Sequence, residues 1–364
     1  MNPFWNPLVA RLTPYVPGEQ PTRPGLVKLN TNENPYPPSP RVLAAIDEEL
    51  GENAARLRLY PDPDAKALKT AVAAFFAEFK VSARQVFVGN GSDEVLALVF
   101  LALLKHDSPI LLPDISYSFY PVYCELTGVA STMIPLDAEF RINVDDYRRE
   151  NGGIVLANPN APTGRLLPVE EIARLADLHP RSVVVVDEAY IDFAGETTPT
   201  AVALVGTHAN VLVVRTFSKS HALAGLRVGY AVGDEKLIEA LDRVKNSFNS
   251  YPLDRLAIVA AVAAIEDTAH LEKTRRAVMK SREALSGRLA EMGFDVLPSA
   301  SNFVFARPPG GDARALLLAL RERGIIVRHF DKPRIGEYLR ITVGTDAECS
   351  MLVDALNRIF SEPE

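Results

Sequence analysis

At 364 residues, 48% of them hydrophobic, the chain is long enough for two domains with sizeable cores. A formal net charge of −7, without any long basic run, excludes a general field for nucleic acid. No stretch reaches the roughly 20 apolar residues that a membrane-spanning helix requires, and the prolines and tryptophan of MNPFWNPLVARLTPY break any signal-peptide core.

In chain order, the first forty residues hold ten of the 27 prolines, which predicts an irregular arm lying over the body. Short apolar strands then alternate with helices: Val86–Gly89, Ile110–Leu112, Ala130–Ile134, Ile154–Asn158, Val183–Asp187, Val211–Arg215 and Val228–Val232 as strands, Asp93–Lys105 and Pro168–Leu178 among the helices. Continuous Val/Ile/Leu runs are the pattern of strands covered on both faces, so an α/β sheet is expected. The longest apolar run, Val95–Leu104, reads as a buried helix. After Asp254 the texture changes to a long helix, Thr268–Met292, three short strands, Phe303–Ala306, Ile325–Val327 and Tyr338–Thr342, and the helices Ala313–Arg323 and Asp346–Phe360, which suggests a smaller α+β domain. Two cysteines, Cys124 and Cys349, lack metal-ligand spacing and point to a reducing compartment, the cytoplasm.

Ligands of such sheets bind at the carboxyl ends of the strands. Four of these ends carry polar groups: Asn90-Gly-Ser-Asp93 at a helix start, Pro159-Asn-Ala-Pro-Thr-Gly164, Asp187-Glu-Ala-Tyr190, and Ser218-Lys219 with Arg227 eight residues on. Each alone has an ordinary explanation as an N-cap, a turn or a solvated strand end. Together they fit one ligand. A helix start with free N–H groups, Ser218 and Arg227 suit a phosphate; Asp187 suits a protonated pyridine nitrogen; Lys219 suits a Schiff base with an aldehyde.

These segments, with Arg11-Leu-Thr-Pro-Tyr15, Leu29-Asn-Thr-Asn-Glu-Asn-Pro35, Tyr60-Pro-Asp62, Gly89-Asn-Gly-Ser-Asp-Glu94, Asn158-Pro-Asn-Ala-Pro-Thr-Gly164 and Leu339-Arg-Ile-Thr-Val343, resemble the fold-type I pyridoxal-phosphate aminotransferases. Within that group the sequence is similar to the histidinol-phosphate aminotransferase family over nearly the whole chain. The resemblance implies an arm over residues 1–40, a large cofactor-binding domain over 41–255 with a mostly parallel seven-stranded sheet between helices, and a smaller α+β domain over 256–364.

It also implies roles. Lys219 tethers pyridoxal 5′-phosphate and serves as the base, Asp187 holds the pyridine nitrogen protonated, and Tyr190 bonds the phenolic oxygen O3′. The phosphate is met at Gly91, Ser92 and Asp93, by Ser218 and Arg227, and by Tyr60 of a neighbouring subunit, which implies a homodimer. Tyr117 matches the aromatic that stacks on the ring, although a tyrosine there could equally be core. Many members have Asn directly before Pro-Thr-Gly, in contact with O3′; Ala161 stands there in this chain, and Asn160, one residue earlier, is the candidate for that contact.

For the substrate, Arg340 matches the anion-site arginine, Arg328 a second arginine near the substrate phosphate, and Tyr15 the arm tyrosine that closes over it. Arg328 as a surface residue and Tyr15 as a packing residue are the alternatives. The implied reaction transfers the amino group of L-glutamate to imidazole acetol phosphate, giving L-histidinol phosphate and 2-oxoglutarate. An aromatic amino-acid aminotransferase would need the same cofactor residues, and a threonine-phosphate decarboxylase shares the phosphate-bearing substrate. A regulator built on this fold would need a DNA-binding segment for which the chain has no basic patch.

Overall fold

A computed structural model of the protein describes residues 2–21 and 25–361. Seven strands form the main sheet, in the order Val86–Gly89, Gly229–Gly233, Val211–Thr216, Val184–Asp187, Ile154–Ala157, Ile110–Pro113, Ser131–Ile134. Only Gly229–Gly233 runs against its neighbours; the other pairings are parallel. The apolar runs are explained by burial from both sides. Val184, Val186, Val211 and Val213 pack into one core, while Val185, Leu212 and Val214 pack into the core on the opposite face.

Register brings the polar strand ends together. Ala157 lies opposite Asp187 and Asp187 opposite Val214, so three parallel strands end on one rim. Thr216 and Gly89 both pair with Gly229, which adds the start of helix Gly91–Ala102 to the same rim. That helix contains most of the longest apolar run and buries Val95, Leu96, Leu98, Val99 and Phe100. Among the described residues no helix is long and apolar enough to cross a membrane.

A second, antiparallel sheet has the order Arg328–His329, Leu339–Thr342, Phe303–Arg307, Asp295–Leu297. Helices Thr268–Glu291, Ala313–Glu322 and Asp346–Ser361 surround its core. Two features differ from the sequence expectation. Val27–Lys28, expected within an irregular arm, is a strand paired in parallel with Ile325–Ile326, and Val27 and Leu29 belong to the second core. Helix Arg255–Glu266, expected to open the smaller unit, buries Ala257, Ala260, Ala261 and Ile265 in the core of the large sheet. In both cases the partner lies far away in sequence, and periodicity carries no trace of it.

Candidate active site

A single cleft between the two sheets gathers Tyr15, Ser92, Asp93, Tyr117, Asp187, Tyr190, Ser218, Lys219, Arg227, Arg328 and Arg340. Lys219 is half-buried, its Nζ donating to the carbonyl of Thr31 at 3.1 Å and lying 5.7 Å from the ring centre of Tyr190. Asp187 is 6% exposed. Its Oδ2 accepts from the Tyr120 hydroxyl at 2.8 Å and its Oδ1 from the Ala189 N–H at 3.3 Å. Burial raises its pKa from 3.8 to about 6, with the nearby Asp93 adding to the rise, while Tyr120, Ala189 and Lys219 oppose it. A buried carboxylate with so few donors is prepared for a cation.

The rim beside it is shaped for an anion. Asn90, at the cap of helix Gly91–Ala102, makes no side-chain hydrogen bond to the helix start, so the first N–H groups are left for a ligand. A Cβ on Gly91, where φ is +80°, would come within 2.6 Å of the Arg227 guanidinium, and one on Gly229 would come within 2.3 Å of the Ser92 nitrogen. Both glycines are required for the helix start, the antiparallel strand and Arg227 to converge. Arg227 lies 3.5 Å from Ser218 Oγ and pairs with Asp93 at 3.0 Å. The Asp93 carboxylate also accepts from the Tyr117 hydroxyl at 3.0 Å, so its side chain, as well as its backbone, belongs to this rim.

At the other end of the cleft two arginines stand directly opposite each other on neighbouring strands, Arg328 against Arg340. Like charges in that position repel. Among the described residues neither has a carboxylate partner: Arg340 Nη2 donates to the Asn30 carbonyl at 2.9 Å while its Nε is buried without a partner, and Arg328 reaches the Pro17 and Val16 carbonyls only at 3.4 and 3.3 Å. Phe330 lies beneath both guanidinium groups and Phe303 beneath Arg340. Burial lowers the pKa of Arg340. Two facing cations on an aromatic floor are stabilised by a bound anion. Arg328 is partly buried and lines the cleft. Tyr15 packs on Phe119 at 4.8 Å and near Tyr117 at 6.3 Å, holding the arm over this end.

One expected residue, Asn160, lies away from the cleft, and Tyr60, expected at a neighbouring subunit's site, does not line its own. Asn160 is corrected: its amide donates to the Ile115 carbonyl at 2.9 Å and Thr163 Oγ1 at 3.1 Å, and its oxygen accepts from Ser116 at 2.8 Å, so the side chain is satisfied away from the cleft, which Ala161 lines instead. Tyr60 is 78% exposed and stacked on Tyr251. Sequence reasoning missed Tyr120, whose ring also meets Tyr117 edge-on at 5.5 Å. Asn32, inside a motif already singled out, also lines the cleft, its side-chain amide donating to the Tyr190 hydroxyl at 3.0 Å.

The description "Aminotransferase class I and II" matches residues 24–356. The chain belongs to that family. The aminotransferase is 64% identical over 360 residues to histidinol-phosphate aminotransferase 2 of Dechloromonas aromatica, covering 99% of both chains. It is 61% identical over 361 residues to histidinol-phosphate aminotransferase 1 of Methylococcus capsulatus, again covering 99% of each. Among solved structures, the aminotransferase is similar to the histidinol-phosphate aminotransferase of Sinorhizobium meliloti in complex with pyridoxal 5′-phosphate, with a TM-score of 0.87 and 26% identity over 98% of this chain and 97% of that one. The fold class is that of these fold-type I enzymes: a mostly parallel seven-stranded sheet with a smaller C-terminal unit.

Proposed function

We propose that this aminotransferase is a pyridoxal-phosphate enzyme that transfers an amino group from L-glutamate to imidazole acetol phosphate, giving the L-histidinol phosphate that histidine biosynthesis requires. The observation that carries this reading is the placement of an amine, a buried carboxylate and an anion cradle at one end of a cleft whose other end holds two facing arginines with no carboxylate partner among the described residues.

The residues fit the cofactor. The uncapped helix start with Ser92, Asp93, Ser218 and Arg227 would hold its phosphate, Asp187 its ring nitrogen, Tyr190 its phenolic oxygen, and Tyr117 would cover the ring face. When bound, the cofactor supplies the electron sink that an amino acid's α-carbon lacks. Lys219 Nζ is the tether and, once freed, the base that moves the α-proton of the substrate. Asp187 keeps the ring nitrogen charged, a task its sparse donor set and burial favour. Arg340 takes the glutamate α-carboxylate, Arg328 takes the phosphate ester of the alternate substrate together with it, and Tyr15 closes the arm over both.

The same reading makes the protein a cytoplasmic homodimer. Two buried free thiols, Cys124 and Cys349, support a reducing compartment, and the exposure of Tyr60, with Leu57 and Leu59 close in sequence, supports an interface with a second copy. It divides the chain into an arm, a large cofactor unit and a smaller unit, with the second boundary near Asp267 because Arg255–Glu266 packs in the large core.

The test is a half-reaction. Cofactor-loaded protein is mixed in turn with L-histidinol phosphate, L-glutamate and L-phenylalanine while the near-visible absorbance is followed. Rapid loss of the band at low histidinol phosphate, with phenylalanine far slower, is the expected result. Faster conversion by phenylalanine would replace this reading with an aromatic aminotransferase and would leave Arg328 without its role.

A further inference from the structure

The segment Leu29–Pro35 lies in the cleft wall, yet the roles assigned so far use none of its side chains. Its central residue, Asn32, is 1% exposed and has a positive φ of 57°, a conformation that asparagine tolerates better than most residues. Three bonds hold it there. Its N–H donates to Thr342 Oγ1 at 3.0 Å, its side-chain oxygen accepts from the same hydroxyl at 3.0 Å, and its carbonyl accepts from the Asn302 amide at 3.0 Å.

These bonds fix which way the Asn32 amide points. Thr342 Oγ1 accepts the Asn32 backbone N–H, and among the described residues its own hydrogen finds its acceptor in the Asn32 amide oxygen, which places that oxygen on the Thr342 side. The NH2 group therefore faces the other way, and it donates to Tyr190 Oη at 3.0 Å. A phenol oxygen that accepts in this direction keeps its single hydrogen for another partner. Tyr190 lines the cleft beside Lys219. Asn160 is turned away and Ala161 offers no side-chain donor, so the direction of this hydrogen matters more here than where an asparagine stands at position 161.

We propose that Asn32 is a positioning residue that makes Tyr190 a fixed hydrogen-bond donor toward the cofactor's phenolic oxygen, and that Thr342 sets the orientation of Asn32. This rests on the reading that Tyr190 meets that oxygen. A hydroxyl donated there favours the form in which the oxygen bears its full negative charge. The group attached through Lys219 then gives up its proton at a lower pH, and losing the donor moves the midpoint upward.

The experiment is a pH titration of the near-visible absorbance of cofactor-loaded protein for Tyr190→Phe, Asn32→Gly, Thr342→Val and each of the latter two combined with Tyr190→Phe. Glycine suits the positive φ and valine keeps the shape of threonine, so the two variants remove the same interaction while disturbing the fold in different ways. Asn32→Gly is expected to raise the midpoint by about 0.5 to 1 pH unit, the size of one hydrogen bond, with Thr342→Val moving it in the same direction and neither adding to Tyr190→Phe. A midpoint that stays put in Asn32→Gly and Thr342→Val while Tyr190→Phe moves it would overturn the proposal, even where cofactor retention falls. So would a shift that persists undiminished without the Tyr190 hydroxyl. An unmoved midpoint in Tyr190→Phe itself would remove the reading of Tyr190 and the proposal with it.

Discussion

At Asp187 the energetic conflict of the site is concentrated in one carboxylate. Burial raises its pKa from 3.8 to about 6, and the Tyr120 hydroxyl restrains that rise. A carboxyl raised in the folded state contributes stability that is complete below its unfolded pKa and is lost as pH climbs through the folded value. For the chain freed of cofactor, the Asp187 contribution therefore disappears between about pH 4 and pH 6, a loss on the order of 3 kcal/mol. Carboxylates held low, such as Asp192 beside Arg215, act in the opposite sense and at more acid pH. Thermal unfolding of cofactor-free Asp187→Asn should thus show a flatter profile from pH 4 to 6 than the parent; an equal decline in both would mean that Asp187 is not the group responsible. Tyr120→Phe removes one donor to a charged acceptor but keeps the ring against Tyr117. It should weaken cofactor binding about tenfold, measured by equilibrium dialysis, with the fold intact. Neither Tyr120 nor Asn32 was legible as a functional residue. Tyr120 acts on a residue 67 positions away and Asn32 on one 158 positions away. Such pairs carry no spacing that a local pattern can reveal.

Between elements the decisive contact is the strand Gly229–Gly233 against the start of helix Gly91–Ala102. Gly229 has no room for a Cβ, since the nearest atoms, at 2.3 and 2.4 Å, are the backbone of Ser92 and Gly91 and cannot rotate away. Gly229→Ala should displace the helix start, costing about 1 to 3 kcal/mol by calorimetry and loosening phosphate-dependent cofactor binding at the same time. Retention of both would show that the cradle has slack. Most strands of the large sheet were legible because burial on both faces writes a nearly uninterrupted apolar run, whereas Ser131–Ile134, at the sheet edge, is partly exposed and more polar. The strand ends were legible because polar residues follow those runs directly. The second sheet was less so. Asp295–Leu297 and Arg328–His329 are too short and too polar to show a period, and Val27–Lys28 exists as a strand only because Ile325–Ile326 offers an edge. For the same reason Arg328 and Arg340 could be picked out singly, while their facing register, which suits an anion, had to come from the fold.

At the scale of the whole molecule, the placement of Tyr60 leads to a prediction about assembly. It is 78% exposed, stacked on Tyr251 at 4.6 Å and outside its own cleft, and Leu57, Leu59 and Phe248 are exposed with it. In the two-fold dimer proposed above, the Tyr60 of each copy is taken to reach the phosphate end of the other's cleft. Each site would then draw Lys219 from one chain and Tyr60 from its partner. Lys219→Ala should abolish turnover, since loss of proton transfer alone costs about 10²–10⁴-fold, and Tyr60→Ala should weaken cofactor retention. When the two variants are mixed and allowed to exchange subunits, every mixed dimer contains one site with both residues intact and one with neither. With cofactor at a level that the Tyr60→Ala sites cannot hold, activity should rise to about a quarter of the parent value, because about half the dimers are mixed and each has one good site of two. If each chain supplied its own Tyr60, mixing would restore nothing, and a sedimentation profile of a fully active monomer would end the argument for a shared site.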